Sequence, residues 1–348
     1  LNRKITAVLL IITILVTMTS CSSGNKRYQA SFLELFDTVT TIIGYAKDED
    51  TFSKEAQMIY DNLKVYHELY DIYNDYEGIN NVKTINDNAG IKPVKVDQKI
   101  IDLLKFSEEA YDLSKGKKNI ALGAVLQVWH DYREAGTNDP ENAKLPPMDL
   151  LKEKAEHTDI TKIIIDEEAS TVYLPDPEMS IDIGAVAKGY ATERVAQYMI
   201  EQGYTSLLLS VGGNVRAIGS RDEAEKAWNV GIQNPDLSSD EQYLMITELE
   251  NLSLVTSGDY ERYYTVDGVR YHHIIDPATL MPSNYFTAVS IITEDSGLAD
   301  ALSATIFNMP LEEGEALIES IDNTEAMWVN KDGSLVYSSG FERYIKQD

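Results

Sequence analysis

The chain predicts an α+β fold in which helices pack on mixed or mostly antiparallel sheet. Three observations carry that expectation. Helical spacing of apolar residues recurs early, at Ala56, Ile59, Leu63, Tyr66 and Leu69 and again from Ile100 to Leu113. Strand patterns later follow one another from Trp228 to Thr265 with no helix between them, unlike the strand-helix alternation of a parallel sheet. Asp267-Gly268 and Asp332-Gly333 are hairpin turns of the type that joins antiparallel neighbours.

The elements run in this order. Residues 32–45 have a β-rich pattern through Phe36 to Ile43, 53–70 is a helix, and Asp71 to Gly90 is a loop rich in Asn, Asp, Gly and Tyr. After the helix at 100–113, the polar stretch Ala135 to Pro147 is a surface connection. Lys162–Asp166 and Thr171–Leu174 make a hairpin. Ala185 to Gln202 is an amphipathic helix stopped by Gly203. Ser206–Val211 runs into Gly212-Gly213-Asn214, and strands follow at Trp228–Ile232, Tyr243–Leu249, Leu252–Thr256 and Tyr260–Thr265. Ala288–Thr293 is a strand, Leu298–Asn308 a helix, and Met327–Val329 with Leu335–Tyr337 a last hairpin. There is no solenoid-type repeat.

The first residues read as targeting. Arg3 and Lys4 precede an apolar run from Ile5 to Val16 that is short for a membrane span, and Met18-Thr19-Ser20-Cys21 resembles a bacterial lipobox. We expect a lipoprotein signal peptide over 1–20, lipidation at Cys21, a tether over 21–30 and one domain over 31–348. The alternative is an uncleaved signal anchor. Both place the domain outside the cytoplasmic membrane; the lipobox specifically predicts a lipid-anchored protein on its extracytoplasmic face. With Cys21 as the single cysteine of 348 residues, disulfides and cysteine-based zinc sites are excluded. A net charge of −27 argues against a nucleic-acid partner. An acidic protein that binds an anion must reverse its field locally, with a metal ion, a helix start or a placed lysine.

Five segments carry groups suited to chemistry. Asp182-Ile183-Gly184-Ala185-Val186-Ala187-Lys188 sets a carboxylate, a glycine turn and a lysine at a helix start, where backbone N–H groups are unpaired. Taken alone, it is equally an N-cap followed by a solvated lysine. Gly212-Gly213 permits either a turn with positive φ or close backbone approach to a ligand; Thr256-Ser257-Gly258 reads the same two ways. His272 and His273 end a strand on opposite faces, so one of them can serve a given pocket as a base. Asp300 and Ser303 lie one helical turn apart and offer hard oxygens to Mg²⁺, or else a cap and a buried serine.

In their order, Phe36-Asp37-Thr38, Tyr73, Trp129, Asp182 to Tyr190, Gly212-Gly213-Asn214, Thr256-Ser257-Gly258, His273-Ile274-Ile275-Asp276-Pro277 and Asp300-Ala301-Leu302-Ser303 resemble the ApbE family of FAD:protein FMN transferases. The resemblance implies an ApbE-like (T-fold-like) α+β architecture. It implies Mg²⁺-dependent transfer of FMN from FAD to a threonine or serine hydroxyl of an exported flavoprotein acceptor, with release of AMP. FAD contacts carry over onto Phe36, Tyr73, Lys117, Lys118, Asn119, Asp182, Lys188 and Ile275. Metal ligation carries over onto the backbone of Ala185 and onto Asp300, Ser303 and the Ala304 position; His273 matches the catalytic base. Relatives often have threonine where Ala304 stands and aspartate where Asn119 stands. Two other readings remain: a Mg²⁺-dependent FAD pyrophosphatase and a non-catalytic FAD-binding lipoprotein.

Overall fold

A computed structural model of the chain describes residues 24–221 and 226–347. The expected signal segment and Cys21 lie outside the described residues.

One sheet organises the molecule. Its strands are β1 (Lys26–Phe32), β2 (Thr40–Ala46), β3 (Ser206–Val211), β4 (Asn214–Gly219), β5 (Ser253–Gly258), β6 (Phe286–Thr293), β7 (Glu325–Asn330) and β8 (Leu335–Tyr337). They lie side by side in chain order, each antiparallel to its neighbours. The expected mixed sheet is thus resolved as antiparallel. Among the described residues the parallel pairing is an isolated bridge between Leu122 and Ser180.

The side-chain alternation of β3 shows why the sheet is covered on both faces. Leu207, Leu209 and Val211 enter one core with Phe52, Ile59 and Leu63 of helix α1 (Glu49–Tyr70), whereas Leu208 enters another. That second core is closed by the hairpin Trp228–Gln233 and Tyr243–Leu249, through Trp228, Val230, Ile232 and Leu249. Each fully buried leucine contributes about 1.5–3 kcal/mol, enough to fix the register of a strand this apolar.

Helix α2 (Gln98–Leu113) shares the core of α1, and α3 (Gly123–Asn138) packs on the hairpin Tyr263–Val266 and Val269–His272. Helices α4 (Ala187–Glu201) and α5 (Ser296–Phe307) lie against each other on the α1 face of the sheet. A buried ion pair holds them there. Arg216 of β4 donates to Glu193 of α4 at 3.0 Å, and the same carboxylate accepts the N–H of Ser296, the first residue of α5, at 2.9 Å.

Three expectations change. The tether over 21–30 ends by Lys26, because Tyr28, Ala30 and Phe32 alternate into the core as β1. Ala135 to Asn138 belongs to α3 rather than to a surface connection, since Trp129 and Val125 bury the helix and Gly136 packs against Tyr264. Short helices also form at Val82–Asp87 inside the expected loop, where Asn81 and Thr84 make a capping box, and at Met148–Ala155.

Candidate active site

A cavity of about 510 Å³ opens where the β3–β4 turn, the end of β5, the start of α4 and α5 meet α3 and the loop after α1. That volume suits a cofactor-sized molecule. Lys117, Lys118, Arg133, Lys188 and Arg262 line it together with five acidic residues, Asp37, Asp71, Asp182, Glu261 and Asp300. In a chain carrying −27, a wall in which charges balance is a local relief of the negative field.

The Asp182 segment is not a helix cap. Val186 is the N-cap residue of α4 and no side chain caps it; Asp182 instead folds back to accept the Gly184 N–H at 2.8 Å. Burial pushes the Asp182 carboxyl up from its ordinary value, against the Gly184 hydrogen bond and the charge of Lys118. Lys188 reaches the Gly184 carbonyl at 3.3 Å. Ala185 is exposed on the cavity wall, outside the helix ladder, and its carbonyl accepts no hydrogen bond among the described residues.

Across from it, Asp300 Oδ2 accepts from the Gly189 N–H at 2.8 Å and from Asn214 Nδ2 at 2.9 Å. Its Oδ1 has no partner among the described residues. Ser303 does not face the cavity: its fully buried hydroxyl is bonded to Ser257 Oγ at 2.8 Å and lies 3.1 Å from the Asp300 carbonyl. Ser257 lines the cavity in its place. Ala304 lines it with a methyl group, which offers no ligand, and Thr305 turns away to its own helix at Ala301 O. No cluster of three His, Cys, Asp or Glu forms a metal site among the described residues. An oxygen set of one carboxylate, a free carbonyl and a serine fits Mg²⁺, which keeps waters and shares substrate phosphates.

The two histidines divide as strand geometry requires. His272 is buried against Phe307, with Nε2 2.7 Å from Ser283 O and Nδ1 accepting the Ile274 N–H, so it is a structural, neutral ring. His273 lines the cavity, and its Nδ1 is covered and without a partner. Burial pushes its pKa down to about 3, helped by the charges of Arg262, Lys188 and Arg133.

Of the other expected contacts, Phe36, Tyr73, Lys117, Lys118, Asn119 and Ile275 all line the cavity. Two of them have their polar groups already engaged. Lys117 is paired with Asp276 at 2.9 Å. Asn119 donates to Thr158 O and accepts the Ala121 N–H, so its amide shapes the turn. The glycine pair makes the turn with positive φ: Gly212 has φ 57° and presses on Thr38, while Gly213, φ 88°, has open space where a side chain would be, and both line the cavity.

Residues with no sequence expectation complete the wall. His67 Nδ1 accepts the N–H of Phe36, which sits with Asp37 in left-handed backbone, φ 56° and 51°. Its Nε2 meets Tyr76 Oη at 3.2 Å, and that hydroxyl donates to Asp71, which also holds the Tyr73 N–H. His130 lies beside the ring of Tyr73, with Arg133 hydrogen-bonded to it. The available signal was scarcity: of five histidines, His67, His130 and His273 line this cavity.

Comparison with known proteins agrees with this picture. Residues 36–328 match the model of the ApbE family. The chain is 30% identical over 318 residues to an FAD:protein FMN transferase of Klebsiella pneumoniae, covering 91% of this chain and 93% of that one. It is 33% identical over 270 residues to the protein of the same name in Treponema pallidum, covering 74% and 72%. The crystal structure of the ApbE protein from Thermotoga maritima superposes with a TM-score of 0.79 at 27% identity, over 92% of this chain and all of that one. The flavin transferase ApbE from Vibrio cholerae, at 22% identity, shares the fold with a TM-score of 0.75. With the family's model matched over residues 36–328, and a relative 30% identical over nine tenths of both chains, this chain belongs to the ApbE family.

Proposed function

We propose that this protein is an FAD:protein FMN transferase that moves the FMN half of FAD onto a threonine or serine hydroxyl of an exported flavoprotein and releases AMP. The observation that carries the reading is convergence: His273, Asp300, Ala185, Lys188, Phe36 and Tyr73, spread over most of the chain, line a single cavity of cofactor size.

Phe36 and Tyr73 supply aromatic surface for the flavin or adenine ring. Lys188, at the uncapped start of α4, and Lys118 supply positive charge to the diphosphate. Asp300 Oδ1, the Ala185 carbonyl and Ser257 would hold Mg²⁺, which when bound would neutralise the diphosphate and the charge developing on the departing AMP. The hydrogen bonds from Gly189 and Asn214 keep the Asp300 carboxylate in place before any ligand arrives. In the transfer, the acceptor oxygen bonds to the FMN phosphorus as the phosphorus–oxygen bond to AMP breaks. The hydroxyl proton goes to His273, whose depressed pKa leaves it unprotonated and able to accept at neutral pH. Negative charge on bound FAD offsets the influence of Arg262 and Lys188 and makes the ring a stronger base.

The basic start, apolar run and Met18-Thr19-Ser20-Cys21 support a lipid anchor at the extracytoplasmic face of a bacterial cytoplasmic membrane. Among the described residues no helix is long and apolar enough to cross a membrane. The test is incubation of the protein with FAD, Mg²⁺ and an acceptor carrying an Asp-X-X-X-Ser/Thr segment. AMP release and flavin fluorescence on the denatured acceptor are then followed. Labelled acceptor with stoichiometric AMP is expected. AMP with unlabelled acceptor would make the protein a pyrophosphatase, and bound FAD with neither product a carrier.

A further inference from the structure

Of the five cations in the cavity wall, Arg262 is the one left both exposed and unused. Lys117 is paired with Asp276, Lys188 reaches the Gly184 carbonyl, Arg133 donates to His130, and Lys118 is buried. The Arg262 guanidinium makes no hydrogen bond or ion pair among the described residues. Strand register sets its place. Tyr263 pairs with His272 at the open end of the hairpin, so Arg262 and His273 are the next residues outward, one on each strand. Directly opposite side chains of an antiparallel pair share a face, with Cβ atoms about 4.5–5.5 Å apart. Both residues line the cavity, and the charge that bears most on His273 is that of Arg262. This end of the hairpin is anchored: the Tyr264 hydroxyl donates to the Lys144 carbonyl at 3.0 Å, and Gly136 of α3 packs on its ring. Arg133 of α3 brings a second guanidinium near, and burial followed by repulsion from Arg262 pushes its pKa down. Asp182 attracts both from a distance, yet neither has a carboxylate partner among the described residues. The rim beside His273 therefore favours a negatively charged group.

We propose that Arg262 selects the acceptor protein, by pairing with a carboxylate that the acceptor segment carries close to the hydroxyl to be modified. The proposal rests on the transferase reading of the cavity. A guanidinium takes a carboxylate through two parallel N–H···O bonds, which fix direction as well as position. With the base at one strand end and the guanidinium at the other, an acidic segment is held at two points and its hydroxyl meets His273 in one orientation. The same carboxylate offsets the charge that Arg262 places on the base. A neutral segment gains neither effect.

The experiment sets the wild-type protein and Arg262→Gln against two acceptors, one carrying an Asp-X-X-X-Ser/Thr segment and the same acceptor with asparagine for that aspartate. Flavin fluorescence on the denatured acceptor gives kcat/KM for each at saturating FAD and Mg²⁺, and fluorescence titration gives FAD affinity. The wild type is expected to prefer the acidic acceptor by roughly tenfold or more. Arg262→Gln should lose about that factor on the acidic acceptor, scarcely distinguish the two, and bind FAD as the wild type does, so that the two changes are non-additive. Equal discrimination by the two proteins would overturn the proposal, as would absence of any preference in the wild type. A parallel fall in FAD affinity would overturn it too and give Arg262 to the FAD phosphates. AMP release by the wild type with neither acceptor labelled would sink the transferase reading itself.

Discussion

The backbone N–H of Gly189 donates a 2.8 Å hydrogen bond to Oδ2 of Asp300, and a Cβ on Gly189 would lie 2.3 Å from the Cβ of Asp300 and 2.4 Å from the Ser296 carbonyl. Helices α4 and α5 therefore touch backbone to side chain at the point where the proposed metal ligand is fixed. Gly189→Ala must separate them, because the clash is with backbone and a Cβ rather than with a flexible side-chain end. We expect a loss of about 1–3 kcal/mol in stability from overpacking, with transfer activity falling more than tenfold as Asp300 shifts. Urea denaturation and AMP release check the two effects; a variant normal in both would show that this contact does not position Asp300.

His273→Gln should slow transfer by roughly 10²- to 10⁴-fold, the usual worth of a general base, with little change in FAD affinity. The pH dependence has a definite sign. The folded pKa of about 3 lies below the ordinary 6.5, so the unfolded chain binds the extra proton between those values. His273 thus favours folding fully above about pH 6.5 and progressively less as pH falls toward 3. Stability against pH, measured by urea midpoints, should therefore decline less steeply below pH 6.5 in the variant than in the wild type. Identical slopes would contradict the burial of a neutral ring.

His67 acts through Phe36. Its Nδ1 accepts the Phe36 N–H at a left-handed turn that a phenylalanine adopts only under constraint. His67→Ala removes two hydrogen bonds, with the Phe36 N–H and with Tyr76 Oη, each worth about 0.5–1.5 kcal/mol, and should weaken FAD binding up to about tenfold with kcat at saturating FAD nearly preserved. Steady-state kinetics separates the two parameters. A fall in kcat at unchanged KM would move His67 from positioning into the chemistry.

Ala304 offers the cavity a methyl group where a threonine would offer a hydroxyl. Ala304→Thr should lower the Mg²⁺ concentration for half-maximal transfer several-fold, since a hard oxygen replaces a coordinated water. A metal titration of activity reads this directly. An unchanged requirement would mean that the metal is held away from this wall.

Much of the fold was legible because its signals are local. Helix α1 follows from apolar spacing, the turn at Asp267-Gly268 from residues that tolerate φ of 50° and 81°, and strand β3 from an unbroken apolar run. The N-terminal strand and helix α3 were not, because their burial depends on distant partners. Lys26 to Phe32 is a strand through pairing with β2, and α3 is fixed by Tyr264 and Leu280 far along the chain.

For the site, the residue types and their order in the sequence determined the family and the composition of the cavity, since Asp182, Lys188, His273 and Asp300 stand within recognisable local patterns. The tertiary structure alone decided which of their atoms are free. Ser303 is spent on Ser257, Lys117 on Asp276 and Asn119 on its own turn, whereas Lys118 and one oxygen of Asp300 have no partner among the described residues. The physical reason is that a polar atom's availability depends on the hydrogen bonds and charges around it. Those partners lie up to 159 residues away, as Asp276 does from Lys117, and no local pattern encodes them.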